Sequence, residues 1–346
     1  MPVTVIPHLD LIHRASRRTM AKGPVVSAEY AAASVASLRE LAQVAAREIT
    51  SVSLLEAPAT HETVIVDRAG WVTSNLNALA VISGIGMEHT KDGEEDGEED
   101  GEDGNPLADR AGAIQTGLAL GWASGKVLGQ YEALADPGRL LLVAPNIVQV
   151  AQTLDLDERD FQLWVCLHEE THRLQFGAVP WMQAHFIGLI KEMIGAEKLS
   201  GSSYPWRIIR VINSLIRADD SSVIELVQSD DQVRIYRKIV ALLTLLEGHA
   251  DFVMDQGGPD LVPSVAKIRK KFEVRRDSNK KLASRLLGMD EKLMQYRKGV
   301  AFVRSCVTEM GIVDFNVVWA APENLPDMFE IENPAAWRTR ILTHHV

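Results

Sequence analysis

A predominantly α-helical fold with a few short strands is what this sequence predicts. Three observations carry that reading. Long runs rich in alanine, leucine and other good helix formers, with capping residues at their starts and glycines near their ends, occupy most of the chain. RLLLVAPN, Arg139 to Asn146, is the best strand candidate, being a short apolar run closed by a Pro-Asn turn signal. No repeat of fixed period interrupts the pattern.

Composition narrows the class. The formal net charge of −11 argues against bulk attraction to nucleic acid or an anionic membrane, although part of that excess is concentrated in one run. Two cysteines, Cys166 and Cys306, make no disulfide framework and fit a reducing compartment. The start of the chain lacks a positive segment leading into an apolar one, so no signal peptide is expected. No uncharged apolar run reaches the ~18 residues of a membrane helix. A soluble cytoplasmic protein is the resulting expectation.

The elements follow in order. SAEYAAASVASLRELAQVAAREI is a helix with Ser27 as its N-cap. DRAGWVTSNLNALAVISGI is a second helix, ending at Gly84 or Gly86. Residues 88–105 are acidic, punctuated by glycine and without any apolar anchor, which predicts a disordered loop. Calcium-loop spacing is absent from it. GLALGWASGKVLGQ, Gly117 to Gln130, reads as a helix with small residues on one side. Its glycines suit close backbone packing and not a phosphate loop, because neither the Walker spacing nor a preceding strand is present.

Next comes DERDFQLWVCLHEETHRLQFG, one helix from its acidic start to Gly177. His168 and His172 are four apart and share a face, so two imidazoles can take adjacent corners of a tetrahedral zinc site. Glu169 projects about 100° further round. It is poorly placed to join that pair but can reach a water activated by the ion and accept its proton. H-E-x-x-H is the signature of this arrangement in metallopeptidases. An amphipathic helix carrying two histidines by chance is the plainer alternative. The apolar Phe161, Leu163, Trp164, Val165 and Leu167 lower it, because buried imidazoles need partners.

A third ligand must come from elsewhere. IYRKIVALLTLLEGHADFVMDQGG is a central helix expected to stop at Gly257 and Gly258. Glu247 follows LLTLL directly, where a carboxylate needs a cation opposite it, either a metal or a lysine or arginine. Asp251, on the same face, is placed to receive the free N–H of a ligand histidine. His249 competes as a ligand or as a donor to an oxyanion, but it points about 200° away from Glu247. His185 reads as an ordinary core or surface histidine.

HEETH at 168–172 followed by EGHAD at 247–251 resembles the Glu-zincin pattern of HExxH and a later ExxxD. LHEETHRLQFGAVPW, LLEGHADFVMD, VPSVAKIRKKFEVRR, LLGMDEKLMQYRKGVAFV and ENLPDMFEIENPAAW are similar to a bacterial group of zincin-like proteins. Its members carry the labels zinc-dependent metalloprotease and deazaflavin-coenzyme biosynthesis-associated. The likeness runs from about Asp67 to Trp337 and is strongest from Arg139 onward; the acidic insertion departs from it. It implies a zincin-like helical fold, zinc on His168, His172 and Glu247, and Glu169 as base, without implying a substrate.

In the last third, Lys267 to Arg285 is a basic helical run, read as a solvated face or a partner of the acidic loop. Phe272 is its one aromatic, which disfavours nucleic acid. Tyr296 is a candidate donor to an oxyanion, against the commoner packing role. FNVVWAAPENLPDMFEIENPAAW is expected to wrap irregularly over the body. The whole reads as one large domain, 1–346, with a lobe to about 155 and a metal-site lobe from about 156. The expected function is a zinc-dependent hydrolase acting on a peptide or small amide, beside a groove edged by RLLLVAPN. The rival is a zinc-stabilised binding or scaffold protein with a sealed site.

Overall fold

Capping chemistry sets where the helices begin. The computed structural model describes residues 8–56, 62–78, 106–133, 135, 138–195, 230–272 and 289–344. After α1 (Leu9–Thr19), α2 (Ala28–Ser53) starts where the Ser27 hydroxyl accepts from the Tyr30 N–H at 3.1 Å, as predicted. β1 (Glu62–Val66) leads into α3, residues 68–78. The glycines expected to end that helix, and the acidic run 88–105, lie outside the described residues. Then come α4 (Pro106–Ser124), β2 (Gly129–Glu132), β3 (Arg139–Val143) and α5 (Ala144–Leu154). α6 (Glu158–Gly177) has the predicted bounds, with the Asp157 carboxylate accepting from the Asp160 N–H at 2.9 Å. α7 (Met182–Gly195), α8 (Asp230–Leu261), α9 (residues 265–272), α10 (Met289–Phe315), α11 (Met328–Glu332) and α12 (Pro334–His344) follow among the described residues.

The helical majority agrees with the sequence reading, and three details correct it. The helix expected to reach Gln130 stops at Ser124. The buried Asn146 amide donates to the carbonyls of Ser124 and Val127, at 2.7 and 2.6 Å, which turns the chain so that Gly129 and Gln130 enter β2. α8 runs through Gly257 and Gly258 to Leu261. A Cβ on Gly257 would stand 3.3 Å from Val52 of α2, so close helix packing offsets the ~1 kcal/mol that glycine costs a helix. The proline-rich C-terminal segment forms two 3-10 turns, Asn316–Trp319 and Pro322–Asn324, before its two short helices.

β3 is the centre of a three-stranded sheet of order β1-β3-β2, not the exposed edge expected of RLLLVAPN. β1 runs parallel to it, from Glu62 opposite Arg139 to Val66 opposite Val143. β2 is antiparallel, with Gly129 opposite Leu142 and Glu132 opposite Arg139. Alternation along β3 divides the core: Leu141 and Val143 pack with Ile12, Trp71 and Leu120 under α1, α3 and α4. Leu142 faces the larger cluster built by α2, α6, α8 and α10, which includes Leu38, Phe161, Leu245 and Phe302. The glycines of α4 are packing devices, as predicted. A Cβ on Gly117 or Gly121 would collide with the Ile12 or Ser16 carbonyl of α1.

Candidate metal centre

The helical register of α6 sets the two imidazoles side by side, with His168 Nε2 and His172 Nε2 3.2 Å apart. α8 crosses α6 and brings Glu247 Oε2 to 3.5 Å from His168 Nε2 and 3.8 Å from His172 Nε2. One donor atom from each residue lies within 4.8 Å of the others. Two atoms each about 2.0–2.2 Å from a tetrahedral ion stand about 3.3–3.5 Å apart, so these spacings and this N, N, O donor set fit zinc.

Two glycines seat the carboxylate helix. A Cβ on Gly248 would overlap the Gly299 carbonyl carbon of α10, and one on Gly299 would overlap the Thr244 carbonyl. Only hydrogen fits at either position. The backbones therefore touch next to Glu247.

The imidazoles and carboxylates of the site shift one another's pKa values. Burial alone lowers the pKa of His168, but the hydrogen bond and charge of Glu247, with Glu169 and Asp251, outweigh it and hold the ring at about 9. His172 is shifted down, by burial and by the His168 charge, against the pull of Glu247. Burial raises Glu169 to about 7; His168 opposes the rise, and Glu247 and Glu170 add to it. Asp251 is also raised by burial.

Glu169 is 7% exposed and packs on the backbone of β2: a Cβ on Gly129 would stand 2.5 Å from its Cγ and 2.8 Å from its Oε1. Two residues along β2, the Tyr131 ring meets Phe176 of α6 at 5.3 Å. The strand therefore lies along the α6 face that carries Glu169 and Phe176. The neighbouring Glu170 is fully buried and bonds the Arg173 guanidinium at 2.5 Å.

Other sequence candidates fare differently. His249 is fully buried between Phe315 and Trp319, at 6.2 and 5.1 Å between ring centres, and its pKa is pushed down to about 3 by burial and by His172. It does not join the three-residue cluster, because the α8 register turns it into the core. Asp251 influences both imidazoles by its charge, but no hydrogen bond joins it to either among the described residues. Tyr296 lies on α10, with its side chain outside the described part. His185 packs edge-on to Trp181 at 5.6 Å, an ordinary packed histidine. Sequence reasoning missed Gln175, whose amide meets the ring of His172, and Gly129. Gln175 had a signal: it is polar within RLQF and three residues beyond His172, on the same face.

A mainly helical fold around an HExxH helix and a carboxylate from a later helix is the build of a metallohydrolase. The match to the zincin-like metallopeptidase family extends over residues 8–337, and the chain belongs to that family. Membership implies a metal ion, usually zinc. The crystal structure of a candidate hydrolase with a novel fold from Chloroflexus aurantiacus is similar at a TM-score of 0.69 and 27% identity. The likeness covers 96% of this chain and 97% of that one. No curated protein matches the chain. Among the described residues, no helix is long and apolar enough to cross a membrane.

Proposed function

We propose that the protein is a zinc-dependent hydrolase of peptide bonds, with His168, His172 and Glu247 as ligands and Glu169 as general base. The observation that carries this reading is the convergence of three donor atoms within 4.8 Å beside a buried carboxylate. Zinc held there supplies Lewis acidity, polarising a carbonyl and making water acidic enough to attack near neutral pH. Each imidazole presents Nε2 to the cluster, and on holding the ion His168 would give up the proton that Glu247 stabilises. Glu169 takes the proton of the attacking water on a carboxylate oxygen and delivers it to the leaving nitrogen.

An extended peptide is favoured over a small amide because β2, at the end of the sheet order among the described residues, lies against Glu169. A peptide adding to that edge brings its carbonyl towards the ligands. Tyr296 on α10 is kept as the candidate hydrogen-bond donor to the oxyanion. The scaffold alternative needs a sealed site, whereas the His168 and Glu247 side chains keep 24% and 27% exposure. Buried, unbridged Cys166 and Cys306 fit a cytoplasmic location.

Metal analysis of the purified protein, followed by a peptide-library screen with and without chelator, tests the proposal. Glu169→Gln should keep zinc and lose turnover. Cleavage retained in that variant would remove Glu169 from the role assigned to it.

A further inference from the structure

The hydrogen bonds around the site contain a chain of donors and acceptors that ends in a ligand histidine. We infer that Gln175 is the positioning residue that fixes the tautomer of His172 and ties it to the helix bearing Glu247. The inference rests on the metal reading proposed above.

Gln175 is fully buried and its amide makes three hydrogen bonds. Nε2 donates to the Leu246 carbonyl at 2.8 Å, an atom that can only accept. The amide therefore has one possible orientation, because its flip would set two oxygens against each other. Oε1 then faces His172 Nδ1 at 2.9 Å. An amide oxygen cannot donate, so His172 must carry its hydrogen on Nδ1. In the neutral ring this leaves the lone pair on Nε2, the atom 3.2 Å from His168 Nε2 and 3.8 Å from Glu247 Oε2. A backbone carbonyl of α8 thus dictates which imidazole nitrogen of α6 is available to a metal.

The second amide hydrogen goes to His249 Nδ1 at 3.0 Å. That nitrogen must accept, which gives the buried His249 a purpose other than ligation: it anchors the far side of Gln175. Leu246, the acceptor on α8, immediately precedes Glu247. One side chain accordingly couples the orientation of an imidazole ligand to the seating of the carboxylate ligand. Glutamine alone meets all three demands, one acceptor and two donors. A glutamate would keep the acceptor facing His172 and lose the pair of donors, and a methionine of similar length would lose everything.

Nitrogen-15 spectra of histidine-labelled, metal-free protein at about pH 8, above the unperturbed imidazole range, test the tautomer without any variant. Expected are a single Nδ1–H form for His172 and a single Nε2–H form for His249. Gln175→Met should mix the His172 tautomers and weaken zinc binding by about 10–100-fold in a chelator competition. Gln175→Glu should keep the Nδ1–H form. A purely space-filling role predicts no tautomer change in either variant and would overturn the inference, as would a wild-type His172 protonated on Nε2. If the wild-type protein binds no zinc, the proposed function fails, and the tautomer spectra still decide the role of Gln175.

Discussion

Gly129→Ala isolates the placement of the general base from every other property of the site. The added Cβ would stand 2.5 Å from Glu169 Cγ, 2.6 Å from Cδ and 2.8 Å from Oε1. Unstrained carbon contacts are about 3.5–4.0 Å, so the carboxylate has to retreat by about 1 Å. A shift of that size in a reacting group costs on the order of 10²-fold in rate. The group that yields is a side chain, so the stability cost belongs at the low end of the roughly 1–3 kcal/mol of overpacking. Part of it is recovered, because glycine in a strand is about 0.5–1 kcal/mol worse than alanine. The three atoms nearest the new methyl all belong to Glu169, the proposed base. The expected phenotype is near-normal melting, normal zinc content and kcat reduced about a hundredfold. Melting curves, metal analysis and cleavage of a substrate from the peptide screen measure these together. Wild-type turnover with zinc bound would refute the packing argument for Glu169; loss of zinc in parallel with rate would refute the separation of base from ligands.

Three further outcomes follow from the same geometry. Because Glu247 keeps His168 protonated up to about pH 9 in metal-free protein, zinc binding near pH 7 should release about one proton and tighten as pH rises towards 9. Calorimetry in buffers of different ionisation enthalpy reads this directly. Glu169 has a folded pKa of about 7, above its ordinary value, so its charged form destabilises the metal-free fold at higher pH. Glu169→Gln should therefore raise the melting temperature above about pH 7, and the gain should vanish as pH falls to the ordinary carboxylate range near 4.3. Gly299→Ala drives a Cβ into the Thr244 carbonyl beside Glu247 and should cost about 1–3 kcal/mol together with zinc affinity. Unchanged melting and binding would show that α8 and α10 can separate freely there.

The site is legible in the chain to an unequal degree. HEETH announces its own geometry, since a spacing of four on a helix is fixed by the helix itself. Asp157 and Ser27 announce where α6 and α2 begin, for caps act on neighbours two or three residues away. RLLLV reads as a strand because all of its apolar residues are buried, but nothing in those five residues says which strands flank it. β2 is four residues long, too short for its period to show, and the helical pattern before it masks it. Gly257 looks like a stop until α2 is seen packed against it. Asp251 is well placed for a hydrogen bond on paper, yet Gln175 makes the bond to an imidazole, because helix crossing decides which side chains meet.

By itself the sequence determined a mainly helical protein, an imidazole pair with an adjacent carboxylate, and a second buried helix that offers Glu247. These rest on interactions within a few residues, where backbone geometry leaves little freedom. Only the tertiary structure decided that Glu247 reaches the imidazoles, that Gly129 presses on Glu169, and that Gln175 links His172 to Leu246. Each of these joins residues far apart in the chain, and their meeting is set by how closely two backbones can approach. At Gly248 and Gly299 that limit is the size of a hydrogen atom.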